Sequence, residues 1–228
     1  MKQEDIHALE SIEKLHNYNS YVFNKIFKKG LNQNTLDFGC GYGTLISYLK
    51  TKFNLEIIGY EINPEAIEKL NAKKINLINS LDENKERFDQ VVSLNVLEHI
   101  ENDQKTIEDI NHLLKDNGML VLYLPHSMKI WTDLDELVGH YRRYEIKDLK
   151  KKCDIVGLKI QSLHYADSIG FFASFAIKMF GYDKKKGIGS LSSLKFYDKW
   201  IFPISKLLDS IGLKYLFGKN LVLIATKN

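Results

Sequence analysis

The chain has 228 residues, 44% hydrophobic, 11% aromatic and 27% charged, the balance of a globular protein long enough to bury one sizeable core. It contains no apolar run near the roughly 18 residues that cross a bilayer, and Met1-Lys2-Gln3-Glu4-Asp5 lacks the apolar centre of a signal peptide, so a secreted or spanning protein is not expected. Its two cysteines, Cys40 and Cys153, form no CxxC pair, which excludes a disulfide framework and points to a reducing, cytoplasmic setting.

Helical spacing opens the chain, through Ile6, Leu9, Ile12 and Leu15 and then Val22, Phe23, Ile26 and Phe27. Short apolar runs then alternate with amphipathic stretches. The runs predict strands at Thr35 to Phe38, Leu55 to Glu61, Ile75 to Asn79, Phe88 to Asn95 and Met119 to Pro125. Asn63-Pro64 supplies a cap and a first-turn proline for one intervening helix, and Asn117-Gly118 is read as closing the helix that carries Ile107, Ile110, Leu113 and Leu114. A helix over Glu145 to Val156, a strand over Leu158 to Tyr165 and a last strand over Leu221 to Thr226 complete the pattern. Repeated strand-then-helix order predicts an α/β, doubly wound, mostly parallel sheet. The chain is read as a single domain over 1–228, with N-terminal helices over 1–34, a binding core over 35–165, a helical insertion or lid over 166–220 and the last strand over 221–228.

The net charge is +3, yet residues 166–220 hold nine Lys against four Asp, an excess of +5. Phe171, Phe172, Phe175, Phe180, Phe196, Phe202, Phe217 and Trp200 share that segment, as does Lys184-Lys185-Lys186. A connection this long is usually functional. It reads either as a lid or subunit contact with lysines on its outer face, or as a peripheral membrane surface anchored by aromatics and lysines. Nucleic acid is not expected, since the basic residues are interrupted and no reading module is present.

Leu36-Asp37-Phe38-Gly39-Cys40-Gly41-Tyr42-Gly43-Thr44-Leu45 lies where the first strand meets the next helix. Alternate glycines allow a sharp turn and close approach of a ligand to the backbone, while the helix start offers N–H groups to an anion. A dinucleotide GxGxxG would need glycine at Thr44 or Ile46, and no Gly-Lys-Ser/Thr follows, so nicotinamide, flavin and P-loop readings fail. Glu61, ending the second strand, is placed to accept hydrogen bonds from the two hydroxyls of a ribose.

Leu36 to Gly43, Gly59-Tyr60-Glu61, and Phe88-Asp89-Gln90-Val91-Val92-Ser93-Leu94-Asn95-Val96-Leu97-Glu98-His99-Ile100 resemble, in order, the signatures of class I S-adenosylmethionine-dependent methyltransferases. The resemblance covers about residues 15–165. It implies seven strands with an antiparallel last one, S-adenosyl-L-methionine as cofactor and S-adenosyl-L-homocysteine as product. It further implies that Gly39, Cys40, Gly41 and Gly43 hold the methionine part with Asp37 near its amino group. Glu61 would bind the ribose, Ile62 the adenine face, Ser80 and Leu81 the adenine edge, and Asn95 and Val96 would lie beside the sulfonium. His99 either packs and caps or lines this pocket.

Ligands of open parallel sheets bind beyond the strand carboxyl ends, which directs attention to Pro125-His126-Ser127 and to Gly139-His140-Tyr141-Arg142-Arg143-Tyr144. The second run resembles a subgroup of these enzymes associated with polysaccharide or lipid-linked glycan synthesis. For a hydroxyl acceptor a neutral imidazole is a suitable base, so His140 is the first candidate and His126 the second. Arg142 and Arg143 are candidates to hold an anionic acceptor through forked hydrogen bonds, and Tyr141 is a further substrate-binding candidate beside them. The alternatives are that these arginines pair with Asp133, Asp135 or Glu136 to fasten a loop, or that Asp133, Asp135, Glu136 and His140 hold a divalent ion; no metal is assigned. The expected reaction is methyl transfer to oxygen of a glycan, lipid-linked or phosphorylated acceptor. A quinone-type small-molecule enzyme and a non-catalytic cofactor-binding partner subunit are the other readings.

Overall fold

The computed structural model describes residues 15–27, 34–180 and 195–228. Ile6, Leu9, Ile12 and the Lys184-Lys185-Lys186 run lie outside the described residues. In chain order the main elements are α1 (His16–Phe27), β1 (Thr35–Phe38), α2 (Thr44–Phe53), β2 (Ile58–Tyr60), α3 (Pro64–Ala72), β3 (Phe88–Leu94), α4 (Asp103–Leu113), β4 (Leu114–Pro125), α5 (Asp133–Leu137), α6 (Ile146–Ile155), β5 (Leu158–Ala166), α7 (Ser168–Phe180), α8 (Phe202–Ser210) and β6 (Asn220–Lys227).

Among the described residues the sheet has six strands, in the order β2-β1-β3-β4-β6-β5, where the resemblance implied seven. β1 pairs in parallel with β2 and β3, β3 in parallel with β4, and β6 runs antiparallel to both β4 and β5. Two sequence expectations are corrected here. Ile75 to Asn79 makes only a bridge, Leu77 opposite Gly59, with Gly59 N–H donating to Asn76 and Ile78 N–H to Gly59; exposed Asn76 and Asn79 leave this edge too little apolar surface to extend the pairing. Asn117-Gly118 does not close a helix: α4 ends at Leu113 and the chain enters β4 directly. Residues 115–118 bulge between the Phe88–Leu114 and Gln90–Met119 pairs, and Asn117 takes a left-handed φ of 61° there.

Side chains alternate across the pleat, so the sheet buries apolar residues on both faces. Leu120, Leu122 and Leu124 of β4 and Leu221, Leu223 and Ala225 of β6 meet Ile107, Ile110 and Leu113 of α4 and Leu149 and Cys153 of α6. Val121, Tyr123, Val222 and Ile224 face the other way, against Tyr21, Val22 and Phe23 of α1, Leu45, Ile46 and Leu49 of α2, Leu70 of α3 and Phe202 of α8. Each fully covered Leu or Ile contributes about 1.5–3 kcal/mol relative to an exposed one. Continuous apolar runs in β3, β4 and β6 are what a sheet covered on two sides demands.

The β5–β6 connection is tied down by buried acids. Asp167 accepts from Tyr197 Oη (2.8 Å), Ser205 Oγ (2.8 Å) and Gly170 N–H (3.0 Å). Asp209 accepts from Asp167 N–H (2.9 Å) and from the Tyr21 and Ser168 hydroxyls. Asp198 accepts from the Asn17 and Tyr18 N–H groups at 3.0 and 2.8 Å, which anchors the start of α1. No helix among the described residues is long and apolar enough to cross a membrane.

Because β1 to β4 are parallel, their carboxyl ends share one edge. The chain moves outward from β1 to β2, then returns to β3 on the other side of β1. The resulting crevice is where open α/β sheets bind ligands, and Gly39, Glu61 and Asn95 all lie at its mouth.

Candidate active site

The turn after β1 carries Gly39, Gly41 and Gly43 with φ of 75°, 54° and 75°, a region that side chains other than glycine enter at a cost. A Cβ at Gly39 would lie 2.5 Å from Val96 Cγ2, and one at Gly43 would lie 2.5 Å from Ile75 Cδ1. The first glycine therefore lets the β1 turn touch Val96, just beyond the end of β3. α2 begins at Thr44 with no side-chain cap and no acid in its first turn, leaving its amide groups available to an anion.

Glu61 is wired to this turn. Its Oε2 accepts from Gly41 N–H at 2.8 Å, and its Oε1 from Ile62 and Asn63 N–H at 2.8 and 2.9 Å. Ile62 is 76% exposed beside it, an apolar face available for stacking. Gly39 and Cys40 N–H both donate to Tyr60 O, at 2.8 and 3.0 Å. Asp37 is buried beneath the turn, and burial, with the Glu61 charge, pushes its carboxyl up to about 7. Burial also raises the Cys40 thiol, so it is no reactive thiolate. Ser80 O accepts from Asn84 Nδ2 at 2.6 Å, and Leu81 packs on the core.

At the end of β3, Asn95 has φ of 52° and donates its N–H to Tyr123 O at 2.8 Å. The buried Tyr18 hydroxyl, pushed up to about 12 by burial, lies against Tyr123 and Asn95. Tyr18 drew no attention in the sequence, because an aromatic in an N-terminal helix carries no site signal until α1 is folded onto the sheet.

The loop after α5 docks on the same edge through Tyr141 N–H, which donates to Glu98 O at 2.8 Å. His140 Nδ1 lies 2.9 Å from Asp135 Oδ1. Asp135 also accepts from Arg143 Nε (2.7 Å) and Nη2 (3.0 Å), and from Thr132 N–H (2.9 Å) and Oγ1 (3.1 Å). Burial works to raise the Asp135 carboxyl, but the hydrogen bonds from His140 and Arg143 prevail and hold it well below the usual carboxylate range. An ionised carboxylate only accepts, so the proton of this bond belongs to Nδ1. The lone pair of Nε2 then points away from Asp135, toward Glu98 Oε1 at 3.9 Å.

His126 has a different setting. Its Nδ1 donates to Gly218 O at 2.8 Å, its Nε2 lies 3.4 Å from Glu145 Oε2, and its ring packs on Tyr165. It faces the β5–β6 connection, whereas His140 faces the β3 end. Arg143 is 8% exposed and held bidentately by Asp135. Arg142 bonds Asp103 Oδ1 (2.7 Å) and Glu101 O (2.7 Å). Both guanidinium groups are thus engaged with protein groups, and Tyr141 is 55% exposed.

Glu98 was legible in sequence only as part of Leu97-Glu98-His99-Ile100. It is fully buried, with neither carboxylate oxygen hydrogen-bonded. Burial pushes its carboxyl up to about 8, against the pull of its own backbone amide and the Arg143 charge.

Residues 6–163 match the methyltransferase domain family. The chain belongs to that family. S-adenosylmethionine is the cofactor that goes with this family. A ubiquinone biosynthesis O-methyltransferase of Rickettsia canadensis is 33% identical over 114 residues, 46% of this chain and 48% of that protein. A cyclopropane-fatty-acyl-phospholipid synthase of Escherichia coli is 26% identical over 113 residues, 46% of this chain and 30% of that one. The matches span 30% to 48% of the length of these curated relatives. Among solved structures, a Haloferax volcanii methyltransferase in complex with the Trm112 activator superposes with a TM-score of 0.65 at 12% identity, covering 99% of this chain and 98% of that one. An Archaeoglobus fulgidus SAM-dependent methyltransferase gives 0.60 at 16% identity over 94% of each chain. These likenesses establish the fold.

The residues present suit the cofactor. The carboxylate ending β2, the exposed Ile62, the uncapped α2 and the glycine contact with Val96 match the ribose, adenine, carboxylate and close backbone approach of S-adenosylmethionine in turn.

Proposed function

We propose that this methyltransferase transfers its methyl group to an acceptor oxygen, with His140 as the group that activates that oxygen. The Asp135–His140 pair carries this reading, since it fixes the tautomer and turns the Nε2 lone pair toward the β3 end. When bound, S-adenosylmethionine supplies a methyl on a sulfonium, already activated toward a nucleophile. The protein's work is then alignment and deprotonation. Positioning can contribute on the order of 7–11 kcal/mol, and a placed base about 10²–10⁴-fold.

In this reading Gly39, Cys40, Gly41 and Gly43 cradle the methionine part above Asp37, and Glu61 binds the ribose. Ile62, Ser80 and Leu81 surround the adenine, while Asn95 and Val96 flank the sulfonium. Tyr141 and Arg142 form the rim met by the acceptor, Arg143 positions Asp135, and His126 is the alternative base. Labelled-methyl transfer to hydroxyl acceptors, abolished by His140→Ala with cofactor affinity retained by calorimetry, tests the assignment. Unchanged turnover in that variant overturns it.

For the acceptor we favour a lipid-linked or glycan-type hydroxyl compound, which fits polysaccharide biosynthesis at a membrane surface. The support is the outer face of the β5–β6 connection. Phe172, Phe175, Met179, Phe180, Trp200 and Leu207 are exposed there, with Lys178, Lys195, Lys199 and Lys206 exposed among them. The acids of the same described stretch, Asp167, Asp198 and Asp209, are buried, so they do not offset this surface charge. Each exposed lysine is worth about 1 kcal/mol at an anionic bilayer. Cosedimentation with anionic but not neutral vesicles, reduced by Phe180→Asp and Trp200→Asp, is the expected result. A second reading, a quinone-type acceptor, is favoured by the likeness to the Rickettsia O-methyltransferase, and a screen of phenols against lipid-linked glycans separates the two.

A further inference from the structure

From the cluster formed by Glu98, His99 and His140, we infer a binding site for a zinc-type divalent cation at the acceptor end of the crevice. One ligand atom from each residue lies within 4.8 Å of the other two. Tetrahedral bonds of about 2.0–2.1 Å put ligand atoms about 3.4 Å apart, so the cluster tightens by roughly 1 Å around an ion. Closing around the ion takes small shifts of the His99 side chain and of the facing Glu98 and His140 side chains, which stand 3.9 Å apart.

Glu98 is the independent observation. A fully buried carboxylate is ordinarily paired, hydrogen-bonded or coordinated to a metal, because leaving it bare costs several kcal/mol. Both Glu98 oxygens lack a hydrogen-bond partner. The cation nearest in character, Arg143, gives its fork to Asp135 instead, at 2.7 and 3.0 Å. The carboxyl group is therefore held inside the protein facing His140 Nε2, 3.9 Å away, with neither oxygen hydrogen-bonded.

His140 is already arranged as a metal ligand. Metal-bound imidazoles typically donate their other N–H to a carboxylate, which fixes the ring and raises its basicity. Asp135 does this at Nδ1, and Arg143 and Thr132 hold Asp135 in turn. The His99 ring meets His140 edge-to-face, with centroids 4.7 Å apart. The site builds itself locally, since Glu98 and His99 share the turn that ends β3 and Tyr141 N–H docks the His140 loop on Glu98 O.

Two imidazoles and one carboxylate favour zinc-type ions over magnesium, and three protein ligands leave a coordination position for an acceptor oxygen, as in catalytic sites. The role given to the ion rests on the oxygen-transfer reading above, whereas the site itself does not. A cation there draws charge from the acceptor hydroxyl, which releases its proton to water. The oxygen forms a bond to the methyl carbon, and the S–CH₃ electron pair returns to sulfur, giving S-adenosylhomocysteine. With the ion bound, the His140 lone pair serves the ion and His140 activates the oxygen through it; without the ion, His140 acts as the base described above.

Equilibrium dialysis of the full chain against Zn²⁺ tests the site without requiring activity. The expected result is one ion per chain, bound at least about tenfold more weakly in His99→Ala and Glu98→Gln. Co²⁺ is expected to give visible d–d bands that both variants lose. Should Glu98→Gln fail to fold by circular dichroism, the exposed His99 variant carries the test. Absence of stoichiometric Zn²⁺, or affinity unchanged in His99→Ala, overturns the site. If Zn²⁺ binds but chelation leaves methyl transfer to oxygen unaltered, the ion's part in activation falls and the oxygen reading stands. Binding of Zn²⁺ by a protein that methylates only nitrogen or carbon sinks the oxygen reading and leaves the site.

Discussion

Gly41 donates its backbone N–H to Glu61 Oε2 at 2.8 Å, so the turn after β1 and the carboxylate ending β2 form one hydrogen-bonded unit. The same carboxylate receives Ile62 and Asn63 N–H on its other oxygen, which ties the proposed ribose-binding group to the geometry of the glycine turn. Charge-assisted bonds of this kind are worth about 1.5–3 kcal/mol each. Glu61→Ala is accordingly expected to weaken S-adenosylmethionine binding by at least about tenfold in calorimetric titration, and equal affinity in the two proteins would remove the ribose assignment.

The contact between Gly39 and Val96 yields a paired test. Gly39→Ala places a methyl 2.5 Å from Val96 Cγ2 at a φ of 75°, a combination of overlap with backbone strain of roughly 1–2 kcal/mol. The single variant is expected to lower the thermal midpoint and cofactor affinity. Adding Val96→Ala should recover the part due to overlap and leave the part due to φ. A double-mutant cycle with no coupling would show that Val96 does not crowd the turn.

Asp135 and Arg143 form a buried pair, their side chains 1% and 5% exposed. Removing one partner of such a pair leaves an uncompensated charge and costs about 3–5 kcal/mol. Asp135→Ala should therefore unfold at markedly lower denaturant concentration, while His140→Ala, which spares the pair, should stay near the parent. If the two variants proved equally stable, Asp135 would have to be read as serving His140 alone.

Asp37 gives a pH dependence with a definite sign. Its carboxyl is raised from 3.8 to about 7 in the folded protein, chiefly by burial and further by the Glu61 charge. The folded chain therefore holds this proton more tightly than the unfolded chain. Its contribution to stability is full below about pH 4 and is lost as pH rises through about 7. Asp37→Asn is expected to melt above the parent at about pH 8, with the gap closing by about pH 4, in thermal scans of the cofactor-free proteins. A gap that widens toward acid would reverse the assignment.

The residues proposed to hold the cofactor were largely readable in sequence because each sits at a strand end. Asp37, Gly39, Glu61 and Asn95 are identified by local pattern, a glycine turn or an acid closing an apolar run, and parallel pairing then brings the ends to one edge. Glu98 was not readable in the same way. In sequence it is a polar residue at the start of a turn. Its complete burial depends on the loop carrying Tyr141 folding over it, 42 to 46 residues further along the chain at His140 to Tyr144, a contact no local pattern encodes. Arg142 and Arg143 illustrate the reverse case, since their composition suggests an anion grip while tertiary packing commits them to Asp103 and Asp135.

By itself the amino-acid sequence determined the alternation of strands and helices, the two-sided apolar core and the cofactor turn. These follow from periodicity, backbone conformation and short-range spacing, which are properties of a few neighbouring residues. Only the tertiary structure decided that the Ile75 to Asn79 segment makes a single bridge, that Asp135 orients His140 and that Glu98 is buried with neither oxygen hydrogen-bonded. Each of those outcomes depends on which distant groups compete for the same hydrogen bonds and the same covered space, and that competition is settled only when the whole chain is packed.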